Sequence, residues 1–184
     1  MDYRREYPLF SACGLNCGLC PRYYTDGDSK CPGCGGENFS EKHCSCSILP
    51  CIQRKGVEYC YLCDEYPCKK YDNWERDSFI THQNMMKDFE KAKRIGIEAY
   101  KEELNEKVKM LEDLLANYND GRRKSFFCIA VNLLELNEVK CVLEQLGRET
   151  ELSGLMVKEK SVRAVALFQA IAQEKNVVLK LNRK

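Results

Sequence analysis

The sequence lacks long hydrophobic runs and an excess of charge of either sign. Its longest strictly apolar run, residues 126–131, has six residues, whereas a helix that crosses a bilayer needs about 20. With 29 basic and 28 acidic residues, the formal net charge is +1, so the chain as a whole is no polycation for nucleic acid or anionic lipid. The charged residues 1–7 are followed by no apolar stretch, and we expect no signal peptide. These shortages favour a cytoplasmic protein without a membrane partner.

Cysteine, in contrast, is abundant. The chain has 13 cysteines in 184 residues, and 11 of them lie between Cys13 and Cys68. This density would indicate disulfides in a secreted chain, but in a cytoplasmic chain thiols stay reduced and clustered cysteines more often bind metal. Residues 13–68 also contain only eight large aliphatic or Phe residues, which is little apolar material for a hydrophobic core. We therefore expect metal ions to stabilise this segment.

The cysteine spacing indicates zinc knuckles. Three Cys-x2-Cys pairs begin at Cys17, Cys31 and Cys60, and a two-residue spacing lets one tight turn direct both sulfurs toward the same tetrahedral ion. In Cys31-Pro-Gly-Cys34, proline restricts the turn and glycine can adopt a positive φ. The predicted metal ligands are the 11 clustered cysteines together with the histidine next to one of them: Cys13, Cys17, Cys20, Cys31, Cys34, His43, Cys44, Cys46, Cys51, Cys60, Cys63 and Cys68.

The ligand count leaves two or three zinc ions open. Eleven cysteines and His43 make twelve ligands, enough for three tetrahedral sites, whereas two four-cysteine sites would leave three thiols over and His43 as a solvated loop residue. A site with only three protein ligands would keep an open position for water, as catalytic zinc does. The spacing Cys13-x3-Cys17-x2-Cys20 also occurs around [4Fe–4S] clusters that work with adenosylmethionine. Separate, scattered pairs favour zinc over an iron–sulfur cluster.

The composition changes sharply after Cys68. We predict a small metal-stabilised Cys-rich domain at residues 1–72, zinc-knuckle or ribbon-like with little regular structure, and a mainly α-helical domain at residues 73–184. Residues 74–94 contain no Gly or Pro and are predicted as a helix. Apolar residues recur in steps of three and four over residues 97–118, which is typical of an amphipathic helix. The first of these helices would dock on the metal domain through Met85, Met86 and Phe89.

Three more helices and one strand are predicted further along. Residues 125–136 are predicted as a helix, although the apolar residues 126–131 would also suit a buried strand. Asn137 would cap a short helix that ends at Leu146, and residues 158–175 have a helical pattern. Residues 177–181 alternate weakly, as in a terminal strand. The sequence identifies no partner for Cys128, Cys141 or His82, which lie outside the cysteine cluster. We expect Cys128 and Cys141 to be small buried residues and His82 to be a solvated helix residue.

Several motifs carry a family resemblance. They are Cys13-Gly-Leu-Asn-Cys17-Gly-Leu-Cys20-Pro21, Cys31-Pro-Gly-Cys34, Cys46-Ser-Ile48-Leu-Pro-Cys51 and Lys55-Gly56-Val57-Glu-Tyr-Cys60-Tyr-Leu-Cys63-Asp-Glu65-Tyr-Pro67-Cys68. In order and spacing they resemble the cysteine-rich domain of unknown function 3795 family over about residues 12–90. The resemblance implies a zinc-binding, prokaryotic, cytoplasmic protein and carries no established activity. A single residue separates Cys44 from Cys46 where two are expected, which leaves open whether both bind one ion.

Three functions are compatible with this sequence. The first, which we expect, is a structural zinc module that acts as an interaction or adaptor protein, with a protein as its partner. The second is RNA binding by zinc knuckles, for which Arg22, Tyr23 and Tyr24 are the only interleaved basic and aromatic set in the metal domain. The third is a metal-dependent enzyme with open-site zinc or an iron–sulfur cluster. We interpret Arg122-Arg123-Lys124 as cations that stabilise the end of the preceding helix.

Overall fold

A computed structural model describes residues 4–43, 45–72, 74–149 and 154–183, and they are mainly helical. The cysteine-rich third contains only short elements, and the longer helices follow it. The short elements are α1 (Phe39–Lys42), α2 (Leu49–Lys55) and single 3₁₀ turns at Cys17–Leu19, Gly27–Ser29, Cys60–Leu62 and Lys69–Tyr71. The longer helices are α3 (Met85–Ile95), α4 (Ile97–Asn117), α5 (Lys124–Leu133), α6 (Leu136–Arg148) and α7 (Val157–Glu174).

Helix α4 confirms the clearest periodic pattern of the sequence. Its buried apolar positions include Leu104, Val108, Leu111 and Leu114, which follow the three- and four-residue steps of one helix face. Gly96, with φ of 88°, separates α4 from α3. None of the helices in the described parts of the chain has the length and apolar content needed to cross a bilayer.

The helix predicted over residues 74–94 was placed too early, because α3 begins only at Met85. The reason is the buried Asp77 carboxylate, which accepts hydrogen bonds of 2.6 Å from the backbone N–H of His82 and of 2.6 Å from that of Asn182. A short acidic side chain that binds backbone groups in this way competes with helical hydrogen bonding. The preceding residues therefore form turns.

The strand predicted at residues 177–181 is also wrong, since no strand occurs in the described residues. The segment instead lies along the turns before α3. There the backbone N–H of Asp77 donates to the carbonyl of Asn182 at 2.8 Å, and the side-chain amide of Gln83 donates to the carbonyl of Lys180 at 3.0 Å. Single contacts of this kind anchor the chain end without forming a ladder.

The C-terminal helices lie near their predicted places, but α5 ends at Leu133 rather than at residue 136, and α6 continues past Leu146 to Arg148. Residues 126–131 belong to α5 and are helical rather than extended. Helix α6 begins before the predicted cap Asn137, because Glu135 is its N-cap residue and forms a reciprocal capping box with Glu138. Helix α7 confirms the pattern over residues 158–175.

The hydrophobic core joins the cysteine-rich segment to the helices. The ring centroid of Phe10 lies 5.7 Å from that of Phe89 and 4.6 Å from that of Tyr100. Phe89 also packs against Tyr61, with centroids 4.9 Å apart, and the hydroxyl of Tyr66 donates to the sulfur of Met86 at 2.8 Å. The predicted docking face of α3 is therefore confirmed.

Candidate metal centre

Two of the three Cys-x2-Cys pairs form the same local structure. Each pair begins a single 3₁₀ turn, Cys17–Leu19 or Cys60–Leu62. The backbone N–H of Cys20 donates to the carbonyl of Cys17 at 3.1 Å, and that of Cys63 donates to the carbonyl of Cys60 at 3.0 Å. The first and last cysteines of each pair are therefore joined across one tight turn by a backbone hydrogen bond.

Six thiols from three stretches of the Cys-rich segment gather in what we name thiol group A: Cys13, Cys17, Cys20, Cys31, Cys34 and Cys46. Cys17 is central, because its sulfur is near enough to those of Cys13, Cys20, Cys31 and Cys34 for their charges to interact. Cys13 interacts in the same way with Cys34 and Cys46. The third Cys-x2-Cys pair, Cys31 and Cys34, thus joins the first one.

Four later thiols form thiol group B: Cys51, Cys60, Cys63 and Cys68. Cys60 interacts electrostatically with each of the other three. Helix α2 carries Cys51 and the turn at Cys60–Leu62 presents Cys60. The two groups are neighbours, since the backbone N–H of Cys60 donates to the carbonyl of Ala12 at 2.8 Å.

The two groups do not close into a coordination shell. Within residues 4–43, 45–72, 74–149 and 154–183, no three His, Cys, Asp or Glu side chains are arranged so that they could hold a metal ion. Cys44, a predicted ligand, lies outside the described residues. The ring of His43, another predicted ligand, stacks on that of Phe39 with centroids 4.4 Å apart. Of the twelve predicted ligands, the other ten belong to groups A and B.

Burial opposes the ionisation of the more deeply buried thiols in both groups. Burial raises the pKa of Cys13 to about 12, and the charge of Cys34 adds to the increase. Burial also raises the pKa of Cys60 to about 11, although a hydrogen bond with Tyr71 lowers it in part. Because neighbouring thiolates repel one another, these groups reach their metal-binding form together with a cation.

Hydrogen-bond donors and one buried cation surround the sulfurs. The backbone N–H of Ala12 donates to Sγ of Cys34 at 3.5 Å, and that of Leu49 donates to Sγ of Cys46 at 3.5 Å. Burial raises the pKa of Cys34, and the positive charge of Arg5, which is only 3% exposed, lowers it in part. The Nη2 atom of Arg5 forms an ion pair of 2.7 Å with Glu58. Such donors favour thiolate sulfur, so the chemistry of these side chains suits a thiolate-bound metal ion, although the described thiols do not surround a common point.

Two glycines allow the loops of group A to pack closely. Gly14 has φ of +95°, and a Cβ there would lie 2.9 Å from Cγ of Met85. Gly33 has φ of +83°, and a Cβ there would lie 2.6 Å from the carbonyl oxygen of Pro8. A side chain at either position would meet both backbone strain and a steric clash. The turn at Gly33 is predictable from Cys-Pro-Gly-Cys, but the contact of Gly14 with α3 is not.

Comparison with known families identifies the cysteine-rich segment. A family described as "Protein of unknown function (DUF3795)" matches residues 9–73. We name residues 9–73 the DUF3795 segment after this match. No curated protein and no solved structure matches the chain significantly. The family description assigns no function, so zinc binding stays a prediction.

A buried polar cluster joins the DUF3795 segment to three helices, and sequence reasoning missed it. The side-chain amide of Asn16 donates to Asp88 of α3 at 2.8 Å and to Oδ1 of Asn132 of α5 at 3.0 Å. The hydroxyl of Tyr100 of α4 donates to Oδ1 of Asn16 at 2.9 Å. Burial raises the pKa of Asp88 to about 6, although the nearby Lys107 lowers it in part. The four hydrogen-bonded residues are far apart in sequence, so no local motif reveals them.

Among the remaining candidate residues, Cys128 of α5 lies near enough to Cys20 of group A for their charges to interact. Cys128 is buried as predicted, and burial raises its pKa to about 12. Cys141 is exposed, so its predicted burial is wrong, because it lies on the outer face of α6. His82 precedes α3 and is half-buried, with Nδ1 at 3.1 Å from the carbonyl oxygen of Trp74. Its predicted place on a helix is therefore wrong.

The basic and aromatic residues of the DUF3795 segment contact one another, the residues before α3 and the start of α5. The guanidinium of Arg22 lies over the ring of Phe79 at 5.0 Å, and the ammonium of Lys30 lies over the ring of Tyr23 at 5.6 Å. Lys124 was expected to stabilise the end of α4, but it begins α5 and donates to the carbonyl of Tyr24 at 3.3 Å. These elements border an open cleft of about 760 Å³ that includes Tyr24, Lys30 and Lys124 in its lining.

Proposed function

We propose that this chain is a zinc-binding protein whose metal ions hold the DUF3795 segment in shape, so that the segment and its helices act as an interaction or adaptor module. The observation that supports the proposal is that ten cysteines between Cys13 and Cys68 lie, in two groups, near enough to one another for their charges to interact. Thiols that are distant in sequence gain little from proximity alone, because burial and mutual repulsion both disfavour their charged form. A shared cation would offset this repulsion and favour the thiolate form, which would explain why the thiols lie close together.

The two groups differ in what they offer a metal. Group B has four thiols, the number that fills a tetrahedral zinc site and leaves no position for water. Group A has six, and Cys44 lies two residues from its member Cys46. Six thiols fill one tetrahedral site, and Cys44 and His43 would bring the ligands to eight, enough for two, so the total is two or three ions. Zinc is redox-inert and suits structural sites of this kind, and the free energy of its binding contributes directly to folding.

Metal analysis of anaerobically purified protein tests the proposal. We expect two or three zinc ions per chain, and a decrease of about one when Cys60→Ser removes the centre of group B. The matched control is Cys141→Ser, which changes an exposed thiol on α6 and should leave the ratio unchanged. A wild-type protein without metal would overturn the proposal. Iron with acid-labile sulfide would favour the metal-dependent enzyme instead.

A second candidate function, RNA binding, is supported by the cleft of about 760 Å³ at the start of α5. Lys30 and Lys124 line it beside the ring of Tyr24, and single-stranded RNA combines phosphate contacts with base stacking on aromatic rings. The test is a gel shift with single-stranded RNA at low salt. Loss of the shift in a Lys30→Ala, Lys124→Ala double variant would support this function, and no shift for the wild type would exclude it.

A further inference from the structure

Asn16 belongs at once to the cysteine-rich segment and to the helical core. Its main chain lies within the Cys13–Cys17 spacing, and its carbonyl accepts a hydrogen bond of 2.8 Å from the N–H of Leu19, which starts the turn at Cys17–Leu19. Its side chain is 3% exposed and points away from the turn into the helices. The residue therefore connects the shape of a metal-binding turn to elements that carry none of the clustered thiols.

The side chain of Asn16 uses both of its polar atoms. The amide nitrogen donates to Asp88 at 2.8 Å and to Asn132 at 3.0 Å, and the amide oxygen accepts from Tyr100 at 2.9 Å. The three partners come from α3, α5 and α4. Among side chains of this length, only asparagine supplies two donors and an acceptor together. Alanine would leave buried polar groups unpaired, and aspartate would set a second carboxylate beside Asp88.

The partners are themselves held in place. Asn132 accepts a further hydrogen bond of 2.8 Å at its carbonyl oxygen from the side chain of Asn84. Asp88 is buried and lies near enough to Lys107 for their charges to interact. The turn that presents Cys17 thus cannot shift without breaking hydrogen bonds inside the protein, and those bonds would have no water to replace them.

We propose that Asn16 is a positioning residue, through which α3, α4 and α5 hold the Cys13–Cys17 turn of thiol group A in place for metal binding. This inference rests on the proposed function. Residues that orient metal ligands from outside the coordination shell typically change metal affinity by about 10- to 100-fold when they are replaced. Group B takes its ligands from residues 51–68, so the effect should be confined to group A.

The test compares full-length, zinc-loaded Asn16→Ala with the wild type. Chelator competition reports zinc affinity, and mass spectrometry after alkylation reports which thiols have lost their metal. We expect zinc to bind group A about 10- to 100-fold more weakly, with Cys13 and Cys17 alkylated first and Cys60 and Cys63 still protected. The matched control is Asn117→Ala, which removes an exposed amide from α4. It should behave as the wild type does.

Two further variants separate positioning from a general loss of stability. Asp88→Asn keeps an oxygen that accepts from the amide of Asn16 and should retain zinc in group A, whereas Asp88→Ala should lose it. If Asn16→Ala does not fold, Tyr100→Phe removes a single donor and should weaken group A alone. If Asn16→Ala weakens zinc binding equally in both groups, or changes it in neither, this inference is wrong and the proposed function still stands. A wild type that holds no metal overturns both.

Discussion

The side-chain amide of Asn16 donates a hydrogen bond of 2.8 Å to the carboxylate of Asp88, which lies 72 positions further along the chain. The contact connects a turn between two predicted metal ligands with a helix that carries none of the clustered cysteines. The shape of the cysteine-rich segment therefore depends on the helices as well as on its own turns.

Gly14→Ala should destabilise the protein by about 2–4 kcal/mol, since it combines a left-handed backbone conformation with overpacking against Met85. Gly121→Ala is the control. Gly121 has a similar φ of +87°, but a Cβ there would meet nothing within 4 Å, so only the backbone strain of about 1–2 kcal/mol applies. Urea unfolding of the metal-loaded proteins, followed by circular dichroism, measures both. Equal losses would show that Gly14 does not pack closely on α3.

Phe89→Ala should reduce the free energy of unfolding by about 3–5 kcal/mol, because it leaves a cavity in a packed core. The ring of Phe89 is fully buried against Phe10, Tyr61 and Tyr66. Phe79, which is 57% exposed, provides the comparison, and Phe79→Ala should change stability by about 1 kcal/mol or less. Thermal and urea unfolding measure both variants. A small effect for Phe89→Ala would mean that the helices do not support the cysteine-rich segment.

Asp88 should titrate near pH 6 in the folded protein, because burial raises the pKa of its carboxyl to about 6. The groups around it are Lys107, Lys91 and Tyr100. A carboxyl with a raised pKa binds its proton more tightly in the folded state, so its stabilising contribution is present below about pH 4 and is lost as the pH rises to about 6. The loss amounts to roughly 3 kcal/mol. Carboxyl ¹³C NMR measures the pKa directly, and a midpoint near 4 would contradict the buried cluster.

The two cysteines outside the thiol groups should react at very different rates. Cys141 is exposed, whereas Cys128 is buried and burial raises its pKa to about 12. Since only an accessible thiolate reacts quickly, iodoacetamide should modify Cys141 in the native protein long before Cys128. Peptide mass spectrometry over time measures the two rates. Similar rates would indicate that α5 opens readily.

The parts of the fold that depend on local patterns could be predicted from the sequence. The apolar period of residues 97–118 predicts α4, and the Cys-x2-Cys spacing predicts the turns at Cys17 and Cys60. Contacts between distant residues could not be predicted in this way. Asp77 accepts a hydrogen bond from the backbone N–H of Asn182, 105 positions away, and the residues before α3 therefore form turns instead of helix. The spacing of the cysteines also does not predict that Cys31 and Cys34 lie near Cys17.

The central claim is that metal ions hold the cysteine-rich segment in shape, and NMR before and after chelation tests it most directly. In ¹H–¹⁵N spectra of the zinc-loaded protein, the amides of residues 4–72 should be well dispersed. They should collapse to unfolded positions when a chelator removes the metal and return when zinc is added back. A protein that contains no metal as purified, and whose dispersed spectrum the chelator leaves unchanged, would contradict the account.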